Sequence, residues 1–156
     1  MSNESIPFSV TIHVRDHCLC LHAQRAARAL ARRFDKAFKR FGITNGQFSL
    51  LMSLNRPQPA PMGPVASLLA MDRTTLTAAL KPLERRGLLT VAPDPRDKRG
   101  RLLSLTDDGR TLLTQALPVW VSEHAAVEDA LSRDNADDLR DSLRELGQMD
   151  TAPLAA

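Results

Sequence analysis

A chain of 156 residues with a net charge of +3 suits one domain, or one domain plus helices used for assembly. Hydrophobic residues make up 43% of it yet never run together over the roughly eighteen positions a spanning helix needs, and two cysteines two positions apart, Cys18 and Cys20, exclude a disulfide framework. The first fifteen residues lack a basic start, a continuous apolar run and a small-residue cleavage site, so no export signal is expected and a cytoplasmic setting with reduced thiols fits.

The charge is unevenly spread. Residues 23–40 carry seven basic side chains and one acid, residues 72–101 eight and four, and residues 106–150 four and eleven. Basic segments followed by an acidic end point to a polyanion on one side of the molecule.

Residues 1–15 read as an extended or loosely ordered arm. A long helix is expected from about His17 to Phe41, because Ala23, Ala26, Leu30, Phe34, Ala37 and Phe41 recur at spacings of three and four, with cations opposite. Gly42 stops it. Thr44 and Gln47 form a capping box that opens a second helix. "NRPQPAPMGP" then reads as a loop, with Pro64 suited to the first position of a short third helix. Asp72 is the expected cap of a fourth helix ending at Gly87, with a kink at Pro82. "LLTVA" and "RLLSL" are expected as two short strands joined by a charged loop. Thr106 caps a fifth helix, with Asp107 and Asp108 where the helix dipole favours anions. Leu139, Leu143 and Leu146 mark a sixth, ending at Gly147.

The order α-α-α-α-β-β-α-α is mainly α and fits a winged helix-turn-helix with a helical dimerisation region. The expected divisions are an arm and first dimerisation helix at 1–42, a DNA-binding lobe at 43–105, dimerisation helices at 106–150 and a tail at 151–156. The outer helices bear stripes too apolar for the small module to cover, which points to a homodimer.

On a helical wheel, Leu76, Ala79, Leu80 and Leu83 of the fourth helix gather on one arc. Thr74, Thr77, Ala78, Lys81 and Arg85 take the other. Small and hydroxyl side chains allow close approach to base edges in a major groove, and long cations reach phosphates. In the loop, Arg96, Lys98, Arg99 and Arg101 stand among Asp94 and Asp97, carboxylates placed to hold an arginine in one orientation. A guanidinium presented this way suits the negative potential of a narrow minor groove.

The stretch "MDRTTLTAALKPLERRGLLTVAPDPRDKRGRLLSLTDDG" resembles the MarR family of bacterial winged-helix transcription regulators, with a likeness extending from about His17 to Gly147. The resemblance implies recognition-helix roles for Arg73, Thr74, Thr75, Thr77 and Lys81. Asp97 and Arg99 match the family's wing motif, Arg99 as the minor-groove finger. Ala78 departs from the arginine often found there, which moves the base contact toward Lys81. The implied partners are double-stranded operator DNA, a second copy of the chain and a small aromatic or phenolic effector. Release from the operator by that effector would make the protein a repressor.

For the effector's carboxylate the candidates are His13, Arg15, His17 and Met52. Five potential metal ligands (His13, His17, Cys18, Cys20 and His22) crowd one segment but show no recurring zinc spacing, so no metal is expected. Cys20 matches the reactive cysteine of the family's peroxide-sensing branch. The tyrosines that branch places beside it are absent here, where Phe34 and Asn45 stand. On one continuous helix Cys18 and Cys20 would lie about 200° apart. No catalytic or nucleotide-binding motif is present, so neither an enzyme nor a cofactor is expected. The alternatives are a cysteine-based redox-sensing repressor acting through Cys20 and a winged helix used for protein contact.

Overall fold

Helix formation begins at Phe8, inside the segment read as an arm. The computed structural model describes residues 5–131 and 136–149, leaving the expected tail at 151–156 outside it. Between Pro7 and Gly42 there is no glycine or proline, so nothing in the sequence forbids helix from one to the other. Helix α1 spans Phe8–His17 and α2 spans Leu19–Phe38. Cys18 separates them with extended dihedrals, and its thiol sulfur accepts from the Leu21 amide at 3.4 Å, serving as the cap of α2. The long helix therefore starts at Leu19, and the wheel angle between Cys18 and Cys20 does not apply.

A 3₁₀ turn, Lys39–Phe41, follows α2, and Gly42 ends it at φ +65°. Arg86 donates to the carbonyls of Gly42 and Phe41 at 2.5 and 3.2 Å, satisfying acceptors that a helix end leaves open. Helix α3, Asn45–Ser53, opens on the expected capping box. Gln47 N–H reaches Thr44 Oγ1 at 3.2 Å, and Thr44 N–H reaches Gln47 Oε1 at 3.0 Å.

The proline-rich stretch is more than a loop. Strand β1, Ala60–Pro61, pairs with the third strand through Ala60↔Leu103, and helix α4, Met62–Leu68, starts two residues before Pro64. Two residues are too short for alternation to be read. Pro61 is tolerated because the strand lies at an edge of the sheet. Helix α5, Arg73–Arg85, is capped by Asp72 and continues past Pro82 as one element, and Gly87 turns the chain at φ +69°. Strands β2, Leu89–Asp94, and β3, Asp97–Leu105, complete an antiparallel sheet of order β1-β3-β2. The expected two-stranded ribbon thus gains a third strand, and its charged loop shrinks to a turn at Pro95 and Arg96.

Helix α6, Asp107–Asp129, is capped by Thr106, and α7 spans Ala136–Gln148, taking in the Gly147 expected to end it. Thr106 is fixed at both ends: its hydroxyl accepts from Gly109 N–H at 3.0 Å and donates to Gly87 O at 2.6 Å.

The core lies where α2, α3, α5, α6 and the sheet converge. Phe38, Leu51, Leu76, Leu83 and Leu103 are fully buried in it, and the Phe38 and Phe48 rings stack at 4.6 Å. Each such side chain contributes about 1.5–3 kcal/mol by leaving water. Outside this core the flanking helices stay uncovered. Val14 on α1, Val121 on α6 and Leu143 on α7 are 53, 52 and 49% exposed.

Candidate nucleic-acid interface

Asp72 fixes the start of α5. Its Oδ1 accepts from Thr75 N–H at 2.7 Å and its Oδ2 from the Thr75 hydroxyl at 2.8 Å. The Thr75 amide, then the Thr75 hydroxyl, hold the Asp72 carboxyl below its ordinary range. Leu76, Leu80 and Leu83 lock the opposite face into the core, as the wheel requires. Thr74, Thr77, Ala78, Lys81 and Arg85 are left exposed in a row. The Thr77 hydroxyl donates to Arg73 O at 2.7 Å, which leaves its oxygen free to accept from a base edge. Thr75 is spent on the cap, and Arg85 Nε leans back to Lys81 O at 3.4 Å.

Beside α5 stands the hairpin of β2 and β3. Its register runs evenly from Leu89↔Leu105 to Pro93↔Arg101, then jumps to Asp94↔Asp97. Lys98, Arg99 and Gly100 have no paired residue on β2 and form a bulge. Bulges re-aim side chains, and this one leaves Lys98 and Arg99 exposed. The two carboxylates act differently from expectation. Asp94 Oδ1 accepts from Arg96 N–H at 2.8 Å and Asp97 Oδ1 from Arg99 N–H at 3.0 Å, so they shape the main chain rather than gripping guanidinium groups. A cation that close to a carboxylate would gain little at the surface, whereas a bulged amide needs an acceptor.

Between helix and hairpin runs a cleft of about 310 Å³, lined among others by Arg73, Thr77, Lys81, Arg99 and Arg101, with Glu84 the acid among its lining residues. All ten side chains picked from the sequence for DNA are exposed: Arg73, Thr74, Thr75, Thr77, Lys81, Arg85, Arg96, Asp97, Lys98 and Arg99. Helix α5 carries six of them and the tip of the hairpin the other four, as two neighbouring ridges of mostly positive and hydroxyl groups with Asp97 the one acid.

The effector candidates do not come together. His13 and His17 stack on each other at 4.2 Å, and Arg15 pairs with Asp16 at 2.6 Å, all exposed on α1. Met52 lines a separate apolar cleft of about 450 Å³ with Phe48, Ser49, Leu69, Leu117 and Trp120. The signal for it was Trp120, the single tryptophan of the chain, set among the apolar residues of α6. Cys20 is exposed, with the Gln24 amide donating to its sulfur at 3.1 Å. Among the described residues no three His, Cys, Asp or Glu side chains gather as a metal group, and no helix is long and apolar enough to cross a membrane.

Comparison with known proteins meets this geometry. Residues 43–100, from the entry to α3 through the wing, match the family model described as "MarR family". The transcriptional regulator MosR of M. tuberculosis, solved in complex with DNA, superposes with a TM-score of 0.79 at 32% identity, covering 86% of this chain and 97% of that one. The chain belongs to the MarR family. Two other relatives extend the comparison. The transcriptional activatory protein BadR of Rhodopseudomonas palustris is 35% identical over 89 residues, 55% of this chain. The chain spans about half of that relative's length, 51%. The organic hydroperoxide resistance transcriptional regulator of Bacillus subtilis is 29% identical over 101 residues, 65% of this chain and 69% of that one. This MarR-family protein is therefore a DNA-binding transcriptional regulator of winged-helix fold. The exposed ridge of α5 was legible in the sequence because helix periodicity sorts that helix into two faces. The bulge was not, since register is decided between strands.

Proposed function

We propose that the protein is a homodimeric repressor acting in the cytoplasm, which grips a pseudo-palindromic operator and leaves it when a small aromatic or phenolic molecule binds. Residues 43–105 form the DNA-binding lobe. Segments 1–42 and 106–150 supply the dimer contacts through their uncovered apolar stripes. Thr74, Thr77 and Lys81 face base edges in the major groove, Arg85, Arg96 and Lys98 serve phosphates, and Arg99 enters the adjoining minor groove. The observation that carries this reading is the pairing of two exposed cationic ridges, one helical and one on a bulge, across a single cleft. Fluorescence anisotropy on a duplex from the protein's own upstream region tests it. Affinity should fall steeply with salt, and a dimer should cover half-sites about one helical turn, roughly 10 base pairs, apart. Weak, salt-insensitive association would favour a winged helix used for protein contact.

The cleft beside Met52 supports the effector class. Phe48 and Trp120 offer aromatic faces, and the Ser49 and Ser53 hydroxyls supply polar groups in the same wall. Because Trp120 is the sole tryptophan, its intrinsic fluorescence reports occupancy directly. Salicylate or a hydroxycinnamate should quench it and release the DNA over the same concentration range.

A second reading, peroxide sensing at Cys20, draws on the hydroperoxide-resistance relative and the exposure of that thiol. The chain has no tyrosine to hold a thiolate there. Stoichiometric organic peroxide should therefore leave operator binding intact in wild type and in Cys20→Ser alike. Loss of binding in wild type alone would establish redox control.

A further inference from the structure

Arg73 sits at the first position of α5, where the helix dipole disfavours a cation, so its presence asks for a reason. Its Nη2 crosses to the hairpin and donates to Arg99 O at 2.9 Å. Arg99 lies in the bulge, among three residues of β3 with no paired residue on β2. Its N–H is already taken by Asp97 Oδ1 at 3.0 Å. Both polar faces of this residue's main chain are thus held by side chains, from below by its own hairpin and across the cleft by α5. Gly100 follows at close quarters, where a Cβ would stand 3.1 Å from Asp94 Cβ and 3.2 Å from Asp97 O, so the bulge has little room to relax.

We propose that Arg73 is a positioning residue: its guanidinium stands in for the missing strand partner and fixes Arg99 relative to the recognition helix. The inference rests on the DNA-binding reading above and departs from the recognition-helix role that the resemblance implies for Arg73, since Arg73 then serves DNA through Arg99 rather than by a contact of its own. A bulge left unclamped would present the Arg99 guanidinium in many places, and the cost of ordering it would fall on binding. Clamped, the helix ridge and the wing reach the duplex at a set separation.

Two measurements on the full-length protein decide this. Without DNA, amide hydrogen exchange at residues 98–101 should quicken about fivefold or more in Arg73→Ala, while the thermal midpoint stays near wild type. Unchanged exchange there overturns the clamp. With operator duplex, Arg73→Ala and Arg99→Ala should each weaken binding about fivefold or more, while the double variant binds within about twofold of Arg99→Ala. Multiplicative losses, with the salt slope falling by about one when Arg73→Ala is added to Arg99→Ala, would make Arg73 an independent phosphate contact and overturn the proposal. Failure of the wild type to bind any duplex overturns the DNA reading instead, and the exchange comparison still decides whether the clamp exists.

Discussion

Gly109 carries no side chain because there is no room for one: a Cβ would lie 2.0 Å from the Leu88 carbonyl oxygen and 3.2 Å from Leu105 Cδ2. The obstacle is main chain, so α6 and the turn leading into β2 would have to part. Gly109→Ala should cost about 1–3 kcal/mol or more, read as a lowered denaturation midpoint. A midpoint within about 0.5 kcal/mol of wild type would mean that α6 can shift without loss. Thr106 joins the same junction through two hydrogen bonds, one to the first turn of α6 and one to Gly87 in the turn that follows α5. Thr106→Ala should lose about 1–2 kcal/mol in the same assay, the usual scale for a helix cap. Arg99 is the opposite case, an exposed side chain outside the core. Arg99→Ala should leave stability untouched and weaken operator binding by about 1–3 kcal/mol.

At the level of elements, α5 depends on one carboxylate. Thr75 holds the Asp72 carboxyl below its ordinary range, so the stabilisation it gives is present in full above that range and is lost as pH falls through the lowered value. Asp72→Ala should therefore lower the thermal midpoint at neutral pH, and the gap to wild type should narrow on titration from about pH 7 to pH 3. A gap that stays constant would show that the ionised carboxylate is not what caps the helix. The caps at Thr44, Asp72 and Thr106 were all legible in the sequence, because a cap is a local bargain among four residues. Strand β1 was not, since Ala60 and Pro61 become a strand only when β3 passes beside them. Helix α1 escaped notice for a related reason. Its segment has no strong apolar periodicity, and only the absence of breakers between Pro7 and Gly42 hinted at it.

For the whole molecule, a chain that leaves Val14, Val121 and Leu143 half exposed on three helices has an apolar surface its own fold does not cover. Sedimentation should show a dimer at micromolar concentration, and Leu143→Asp should shift it toward monomer while sparing the α5 and wing core, which α7 does not enter. A wild type that sediments as a monomer and still binds operator tightly would overturn the dimer. The same stripes show how far a single chain's sequence reaches. Periodicity and caps named the buried face of α5 and most of the helices, though neither α1 nor β1, because each of those features is fixed by residues within one or two turns of one another. The clamp from Arg73 to Arg99 and the cleft shared by Met52 and Trp120 join residues 26 and 68 positions apart. Contacts at such separations leave no local pattern, because the partners meet only after the core has brought their elements together.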